Sequence, residues 1–175
     1  MTKLASVFLF LLATSLLTAQ EWVTPVINGY GKIKHFEDVA VQPDADLEYN
    51  LVFDVTDDFE MEGVNVGLWK IARMLNMLGA AKISKDKIHL VAAIHGGATF
   101  ATLNDKNHLE KYQKINPNNE LLQLLQENGV ELFVCAQATS SRGYGPEDLN
   151  PNIKLALSAM TVLANYQRKG YALMP

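Results

Sequence analysis

The segment 87–95 reads KIHLVAAIH, and the segment 130–135 reads VELFVC. Both are short runs that are apolar almost throughout, and Gly96-Gly97 follows the first while Gly129 precedes the second. Continuous apolar runs of this length are typical of parallel strands that are covered on both faces. These two segments therefore predict the centre of a parallel β-sheet.

The segments around these two strands alternate between strand and helix patterns. Apolar residues recur at helical spacing, or alternate with polar ones as in a strand, in a regular order along the chain. The predicted elements are a strand at 47–55, a helix at 63–79, a loosely helical stretch at 104–116, a short helix at 117–129 and a polar loop at 137–152. Alternating strands and helices predict an α/β domain with a mainly parallel five-stranded sheet between helices.

The last segment, 153–175, fits two interpretations. Ile153, Leu155 and Leu157 alternate as in a strand, and Ser158 is a suitable N-cap for a helix that runs to Lys169. Alternatively, Asn150-Pro151 can begin one long helix. We favour the first interpretation, with a final strand at 171–174.

Residues 1–19 have the composition of a secretory signal. Lys3 is followed by an uncharged apolar run from Leu4 to Leu17, and Ala19 supplies a small residue for cleavage. The run is shorter than the roughly 20 residues of a spanning helix. We therefore expect an exported protein, periplasmic or secreted, that has no membrane contact once the signal is removed; an uncleaved anchor is the alternative.

The net charge and the cysteine count of the chain limit the classes of partner and of covalent link that we expect. The formal net charge is −4, and removal of Lys3 with the signal makes it more negative by one, so we expect no nucleic-acid partner. The sequence has one cysteine, so an exported chain cannot close an internal disulfide. Cys135 is then a buried filler, half of an intermolecular pair or a reactive thiol.

The segment 20–46 precedes the α/β domain, which we place at 47–175. Pro25, Gly29, Gly31 and Pro43 interrupt any regular pattern in it, but its aromatic and branched residues are too apolar for a free linker. We expect an N-terminal arm that lies against the domain or against a neighbouring subunit.

The carboxyl ends of the predicted strands carry the candidate site residues, because ligands bind outside these ends in open parallel sheets. Asp57 follows the first strand, His95, Gly96 and Gly97 follow the second, and Cys135 ends the third. We expect Cys135 and His95 to act catalytically, and Asp57, Gly96, Gly97 and Arg142 to contact a ligand.

Each of these assignments has a simpler alternative. Backbone N–H groups at a strand-to-helix turn can stabilise the Cys135 thiolate, but a cysteine at a strand end is also a common small core residue. His95 can serve as a base for that thiol or bond to nearby backbone. Gly96-Gly97 can approach a phosphate or simply turn the chain, since neither a GxGxxG nor a P-loop motif is present.

The sequence predicts no metal and no cofactor. A site built from Cys135, His95 and Asp57 is chemically reasonable, but no local ligand pair such as CxxC or HxxxH supports it.

The order of these elements, with HGGA at 95–98 and NGVELFVCAQATSSRG at 128–143, resembles the DsrE/DsrF-like family, which includes the TusD-type sulfur carriers. The resemblance runs from about Leu47 to the C-terminus. It implies a five-stranded parallel sheet between helices, assembly as a homotrimer or hexamer, and a persulfide carried on the cysteine that matches Cys135. Relay members act in the cytoplasm and lack an arm like 20–46, whereas this chain has a predicted export signal.

Two functional hypotheses follow. In the first, the exported protein carries a persulfide on Cys135 and passes it to the thiol of an acceptor protein; whether this makes it a sulfurtransferase or a carrier stays open. In the second, the chain is a non-enzymatic oligomeric binding module that holds a small ligand at the carboxyl edge of the sheet.

Overall fold

The computed structural model describes residues 21–175, so the predicted signal at 1–19 lies outside the described residues. Seven strands and five α-helices follow one another along this part of the chain. They are Tyr49–Val55 (β1), Glu60–Met61 (β2), Val64–Asn65 (β3), Val66–Ala80 (α1), Ile88–Ile94 (β4), Asp105–Tyr112 (α2), Asn119–Glu127 (α3), Glu131–Cys135 (β5), Ala136–Ser140 (α4), Lys154–Ala156 (β6), Ala159–Arg168 (α5) and Ala172–Met174 (β7).

Five of the strands form one sheet in the order β6-β5-β4-β1-β7, and every pair in it is parallel. β2 and β3 form a separate two-stranded antiparallel hairpin before α1. The predicted α/β class with a five-stranded parallel sheet is therefore confirmed. The segment 153–174 is strand, helix and strand, as in the interpretation that we favoured.

Side chains of the central strands alternate between two cores, as the two-residue repeat of a strand requires. Leu90, Ala92 and Ile94 of β4 pack with α1 and α3 on one face of the sheet. Val91 and Ala93 pack on the other face with Ala159 and Val162 of α5. β4 is apolar on both sides because helices cover both of its faces.

The arm lies along α1 and is held by one buried amide. Asn76 is fully buried in α1, and its Oδ1 accepts hydrogen bonds from the N–H groups of Val26 and Ile27 at 2.8 and 2.9 Å. Its Nδ2 donates to the carbonyls of Tyr30 and Gly31 at 2.8 and 3.0 Å. Ile27 itself is fully buried in the core on this side. The arm therefore covers part of the apolar surface of α1.

Gly31 permits this close approach. Its φ is +61°, and a Cβ there would lie 2.3 Å from the backbone nitrogen of Arg73 in α1. No helix among residues 21–175 combines the length and apolar character needed to cross a membrane.

Two features of the structure differ from the sequence-based expectations. The stretch 137–152 was predicted to be a loop, but α4 occupies Ala136–Ser140. The hairpin of β2 and β3 was not predicted, because two-residue strands are too short to show alternation.

Candidate functional site

Two candidate side chains lie at the carboxyl edge of the sheet on the α5 face. Cys135 packs in the same core cluster as Val91 and Ala93 of β4. His95 is two residues beyond Ala93 in extended backbone, so strand alternation places it on this face as well. Ile94 pairs with Val134, which makes His95 and Cys135 neighbours at the next register position. The parallel sheet thus brings together two residues that are 40 positions apart in the sequence.

Cys135 ends β5 and is also the N-cap residue of α4. It is 6% exposed, and its Sγ lies 4.0 Å from the Oγ of Ser158, the N-cap of α5. Burial alone would raise the pKa of the thiol. The nearby backbone N–H groups of Ala159 and Ala138, the Ser158 side chain and the backbone N–H of Gln137 outweigh it and hold the pKa below its ordinary value.

The donors around Cys135 come from two helix starts. Gln137 and Ala138 belong to the first turn of α4, whereas Ala159 opens α5. N–H groups in the first turn of a helix have no partner within the helix and favour a negative charge. The site can therefore stabilise a thiolate without a charged side chain.

His95 makes its hydrogen bond with Asp54 of β1, not with Cys135. Its Nε2 lies 2.7 Å from Asp54 Oδ1, and both side chains are about one third exposed. β4 lies between β1 and β5, so His95, which follows β4, has the end of one of these strands on each side. The imidazole is oriented by the carboxylate on the β1 side.

Gly96 and Gly97 let the loops at this edge pack closely. Gly96 has φ +56°, and a Cβ there would lie 2.9 Å from the carbonyl oxygen of Thr56. A Cβ on Gly97 would lie 3.1 Å from Asp58. The space next to both glycines is thus filled by the loop that follows β1.

Arg142, which was predicted to contact a ligand, also lies at this edge. Its guanidinium donates to the carbonyls of Ala138 and Gly96 at 2.8 and 2.9 Å and lies 5.3 Å from the centre of the Phe100 ring. Arg142 therefore links the end of α4 to the glycine turn after β4.

The remaining predicted residue, Asp57, lies beside a different opening. It lines a cavity of about 250 Å³ together with Asp54, Gly67, Lys70 and Pro175. A second cavity of about 150 Å³ includes Gly97 and Asp58 among its lining residues. Cys135 and His95 line neither cavity, so the predicted catalytic and ligand-binding residues divide between adjacent parts of the edge.

No three His, Cys, Asp or Glu side chains between residues 21 and 175 converge as a metal site would require. The trio considered from the sequence, Cys135, His95 and Asp57, does not form such a group.

Comparison with known proteins identifies the family. The model of the DsrE/DsrF-like family matches residues 66–175, which include both helix starts at Cys135 and all of the sheet except β1. The chain belongs to the DsrE/DsrF-like family.

One solved structure with a similar fold is that of a protein of unknown function from Methanobacterium thermoautotrophicum. The TM-score is 0.56 at 17% sequence identity, and the similarity covers 73% of this chain and 98% of that chain. At this identity the likeness concerns the fold alone. No curated protein matches the chain.

Some residues at or near the candidate site were missed or undervalued from the sequence. Ser158 was identified only as a helix cap, although it also contacts Cys135. His108 was not selected from the sequence, although it lines a cavity together with Asp58, Glu60 and Lys114. Ser158 and Cys135 are 23 positions apart in the sequence, so no local motif indicates that they are in contact.

Proposed function

We propose that the protein handles sulfane sulfur on Cys135: it takes up one sulfur atom as a persulfide and passes it to an acceptor thiol. The observation that carries the proposal is the set of neutral donors at Sγ, which favours the thiolate form of the only cysteine. The thiolate is the form that attacks sulfur. The resemblance to sulfur-relay members adds support, because their persulfide cysteine matches Cys135.

The chemistry requires no redox partner. The Cys135 thiolate attacks the outer sulfur of a hydropersulfide donor; a new S–S bond forms, the donor's S–S bond breaks, and the donor leaves as a thiolate. The outer sulfur keeps its proton, so Cys135 becomes a hydropersulfide. An acceptor thiolate then attacks that same outer sulfur, and Cys135 leaves as a thiolate. One sulfur atom is transferred and no net oxidation occurs.

His95 has a supporting role in this proposal. Its pairing with Asp54 orients the ring, and its register position next to Cys135 puts a polar group beside the reacting sulfur. Asp57 and Arg142 contribute to the surrounding edge, where they are available to contact a donor or an acceptor.

The acceptor needs a surface beside the cysteine. Leu157 and Met160 are 71% and 76% exposed, and they flank Ser158, which contacts Cys135. Exposed apolar side chains next to a site favour protein contact. We propose that this apolar surface, formed by Leu157 and Met160, meets either a thiol acceptor protein or further copies of the chain in a homotrimer or hexamer.

Export of the protein, to the periplasm or outside the cell, is part of the same proposal and rests on the pattern of residues 1–19. An exported carrier would meet its donor and acceptor outside the cytoplasm. Fractionation of cells that express the full chain tests this step: recovery of the whole chain from the cytoplasm would contradict it.

Intact-mass measurement tests the sulfur chemistry. The purified protein is incubated with inorganic polysulfide and weighed without reduction; we expect the mass to rise by one sulfur atom and to return on addition of a small thiol. Ser141→Ala, an exposed position beyond α4, is the matched control and should gain the same mass. Failure of the protein to gain sulfur, or a gain that persists in Cys135→Ser, would contradict the proposal.

The cavity beside Asp57 supports the second hypothesis, a binding module for a small ligand, because Cys135 does not line it. That hypothesis predicts that ligand-induced thermal stabilisation survives Cys135→Ser and is lost in Asp57→Asn. The sulfur-transfer hypothesis predicts that uptake of sulfur is lost in Cys135→Ser and survives Asp57→Asn.

A further inference from the structure

A third cavity lies at the amino edge of the sheet, away from the candidate site. It measures about 250 Å³, and its lining comes from the arm, α1, the segment between α1 and β4, the start of β4 and the C-cap of α3. Cys135, His95 and Asp57 all lie at the opposite, carboxyl edge, and none of them lines it. The cavity is therefore separate from the proposed sulfur chemistry and from the opening beside Asp57.

Four of the seven lining residues have aliphatic side chains, and together they form what we call the apolar wall: Val26, Leu75, Ile83 and Ile88. Leu75 and Ile83 are buried, whereas Val26 and Ile88 are half-buried against the core on the α1 side. Gly79 lies among them and adds no side chain. The cavity thus presents mainly hydrocarbon to whatever occupies it.

The polar groups at this cavity either have partners or reach bulk water. Nδ2 of Asn128 donates to the carbonyl of Leu124 at 2.9 Å, and the backbone N–H of Ile83 donates to the carbonyl of Leu78 at 3.0 Å. Lys85 is exposed, so water solvates its ammonium and the residue selects no counter-ion. An ordered buried water makes roughly three hydrogen bonds, and the apolar wall offers none. Water in this cavity is therefore easily displaced.

The arm supplies one side of the apolar wall. The N–H of Val26 donates to Oδ1 of Asn76 at 2.8 Å, which fixes Val26 against α1. A Cβ at position 79 would overlap Cγ2 of Val26, so glycine is what lets the arm lie this close to the end of α1. The rest of the apolar wall belongs to the domain. A molecule in the cavity therefore contacts the arm and the domain at once.

We propose that this cavity binds a small, neutral, apolar molecule, and that the bound molecule holds the arm against the domain. Transfer of apolar surface from water to the apolar wall is the driving force. A dry aliphatic and aromatic cavity of about 150 Å³ accepts benzene, so the larger volume here admits on the order of ten non-hydrogen atoms. A charged or strongly polar molecule would lose its hydration without gaining a partner from the apolar wall.

Benzene is the probe for the test, added to protein with ¹³C-labelled methyl groups and followed by NMR. We expect saturable shifts of the Leu75 and Ile83 methyl signals, with a dissociation constant on the order of a millimolar for so small a ligand. Pyrazine, a ring of the same size with two acceptor nitrogens, should bind about tenfold more weakly, because the apolar wall has no donor for it. Pyrazine binding as tight as that of benzene, or no saturable shift with benzene, would overturn the proposal.

Two substitutions separate the apolar wall from the charge beside it. Ile88→Asp should weaken benzene binding about tenfold or more, because it puts a carboxylate into the apolar wall. Ile115→Asp is the matched control, since Ile115 is 65% exposed and does not line the cavity. Lys85→Met, at an exposed position, should leave benzene binding unchanged and keeps the test decisive if Ile88→Asp fails to fold. Unchanged binding in a folded Ile88→Asp protein, or a tenfold loss in Lys85→Met, would overturn the proposal.

Amide exchange tests the contact with the arm. A ligand that binds only while the arm is docked reduces the open population, so benzene at roughly ten times its dissociation constant should slow exchange of the Val26 amide about elevenfold. The amide of Gly145, which donates to Asp148 in the loop before β6, is the internal control and should be unaffected. Benzene binding without slower exchange at Val26 would show that the arm is not part of the site. None of these results depends on Cys135, so this test and the sulfur measurement fail or succeed separately.

Discussion

Substitution of Asn76 by leucine should detach the arm from the domain. Leucine has a similar size but cannot form the four hydrogen bonds that the amide makes with arm residues Val26, Ile27, Tyr30 and Gly31. Each buried backbone group that loses its partner costs about 1–3 kcal/mol, or roughly 4–12 kcal/mol if all four stay buried. Full burial of Ile27 and of Ile33 contributes about 1.5–3 kcal/mol each, or about 3–6 kcal/mol together. The middle of the range for the four unpaired groups exceeds this, so we expect the arm to leave and hydrate these groups.

The assay is hydrogen exchange combined with thermal unfolding. In the original chain the amides of Val26 and Ile27 should be protected, and in Asn76→Leu they should exchange like those of an open chain. Loss of the arm uncovers apolar surface on α1, so we expect the free energy of unfolding to fall by about 3 kcal/mol and the midpoint by roughly 6–12 °C. Asn165→Leu, an exposed position of α5, is the matched control and should change the midpoint little. Retained protection of Val26 and Ile27 in Asn76→Leu would refute the argument.

Two further predictions concern Cys135 and the apolar surface beside it. Alkylation of Cys135 by iodoacetamide should rise with pH through one step, and its midpoint should lie below that of the same thiol in the urea-unfolded protein. Because the folded pKa is lowered, the thiolate stabilises the fold above the unfolded pKa, and this contribution is lost as pH falls through the folded pKa; a midpoint at or above that of the unfolded protein would contradict this. In light scattering the protein should have the mass of a trimer or hexamer. The double substitution Leu157→Asp with Met160→Lys should reduce this mass to that of a monomer. A monomeric mass for the original chain would contradict self-association.

The apolar pattern of the chain was enough to predict the sheet. β4 and β5 are apolar runs of seven and five residues that are covered on both faces, and runs of this length are typical of strands and short for helices. The α4 helix was not predictable in the same way, because AQATS has no apolar repeat. Its position depends on contacts made by distant groups, such as the bond from Arg142 to the Gly96 carbonyl.

The candidate site was only partly predictable, for a reason of geometry. Strand ends can be located in the sequence, and these place Cys135 and His95 at one edge. The sequence does not specify which neighbouring strand His95 approaches, and the structure pairs it with Asp54. Nor does a local pattern bring Ser158 to Cys135, because β6 must first form beside β5.

The arm changes the argument for self-association. α1 buries apolar residues on more than one side, so this surface needs either a second copy or the arm as its cover. Ile27 and the amide of Asn76 show that the arm occupies part of that surface. The proposed assembly therefore rests on a different surface, which is formed by the exposed Leu157 and Met160 next to the cysteine.

The neutral character of the donors at Cys135 has a chemical consequence. An imidazolium partner would activate the thiol only while the ring is protonated, and reactivity would then depend on two ionisations. Backbone N–H groups of Gln137, Ala138 and Ala159 do not titrate, so in the proposed sulfur transfer the thiolate fraction alone would govern the reaction with a donor. His95, held by Asp54, would not be needed to generate the nucleophile and would be free to contact the donor or the acceptor. The proposal therefore requires only a single cysteine at two helix starts to accept sulfur and to release it.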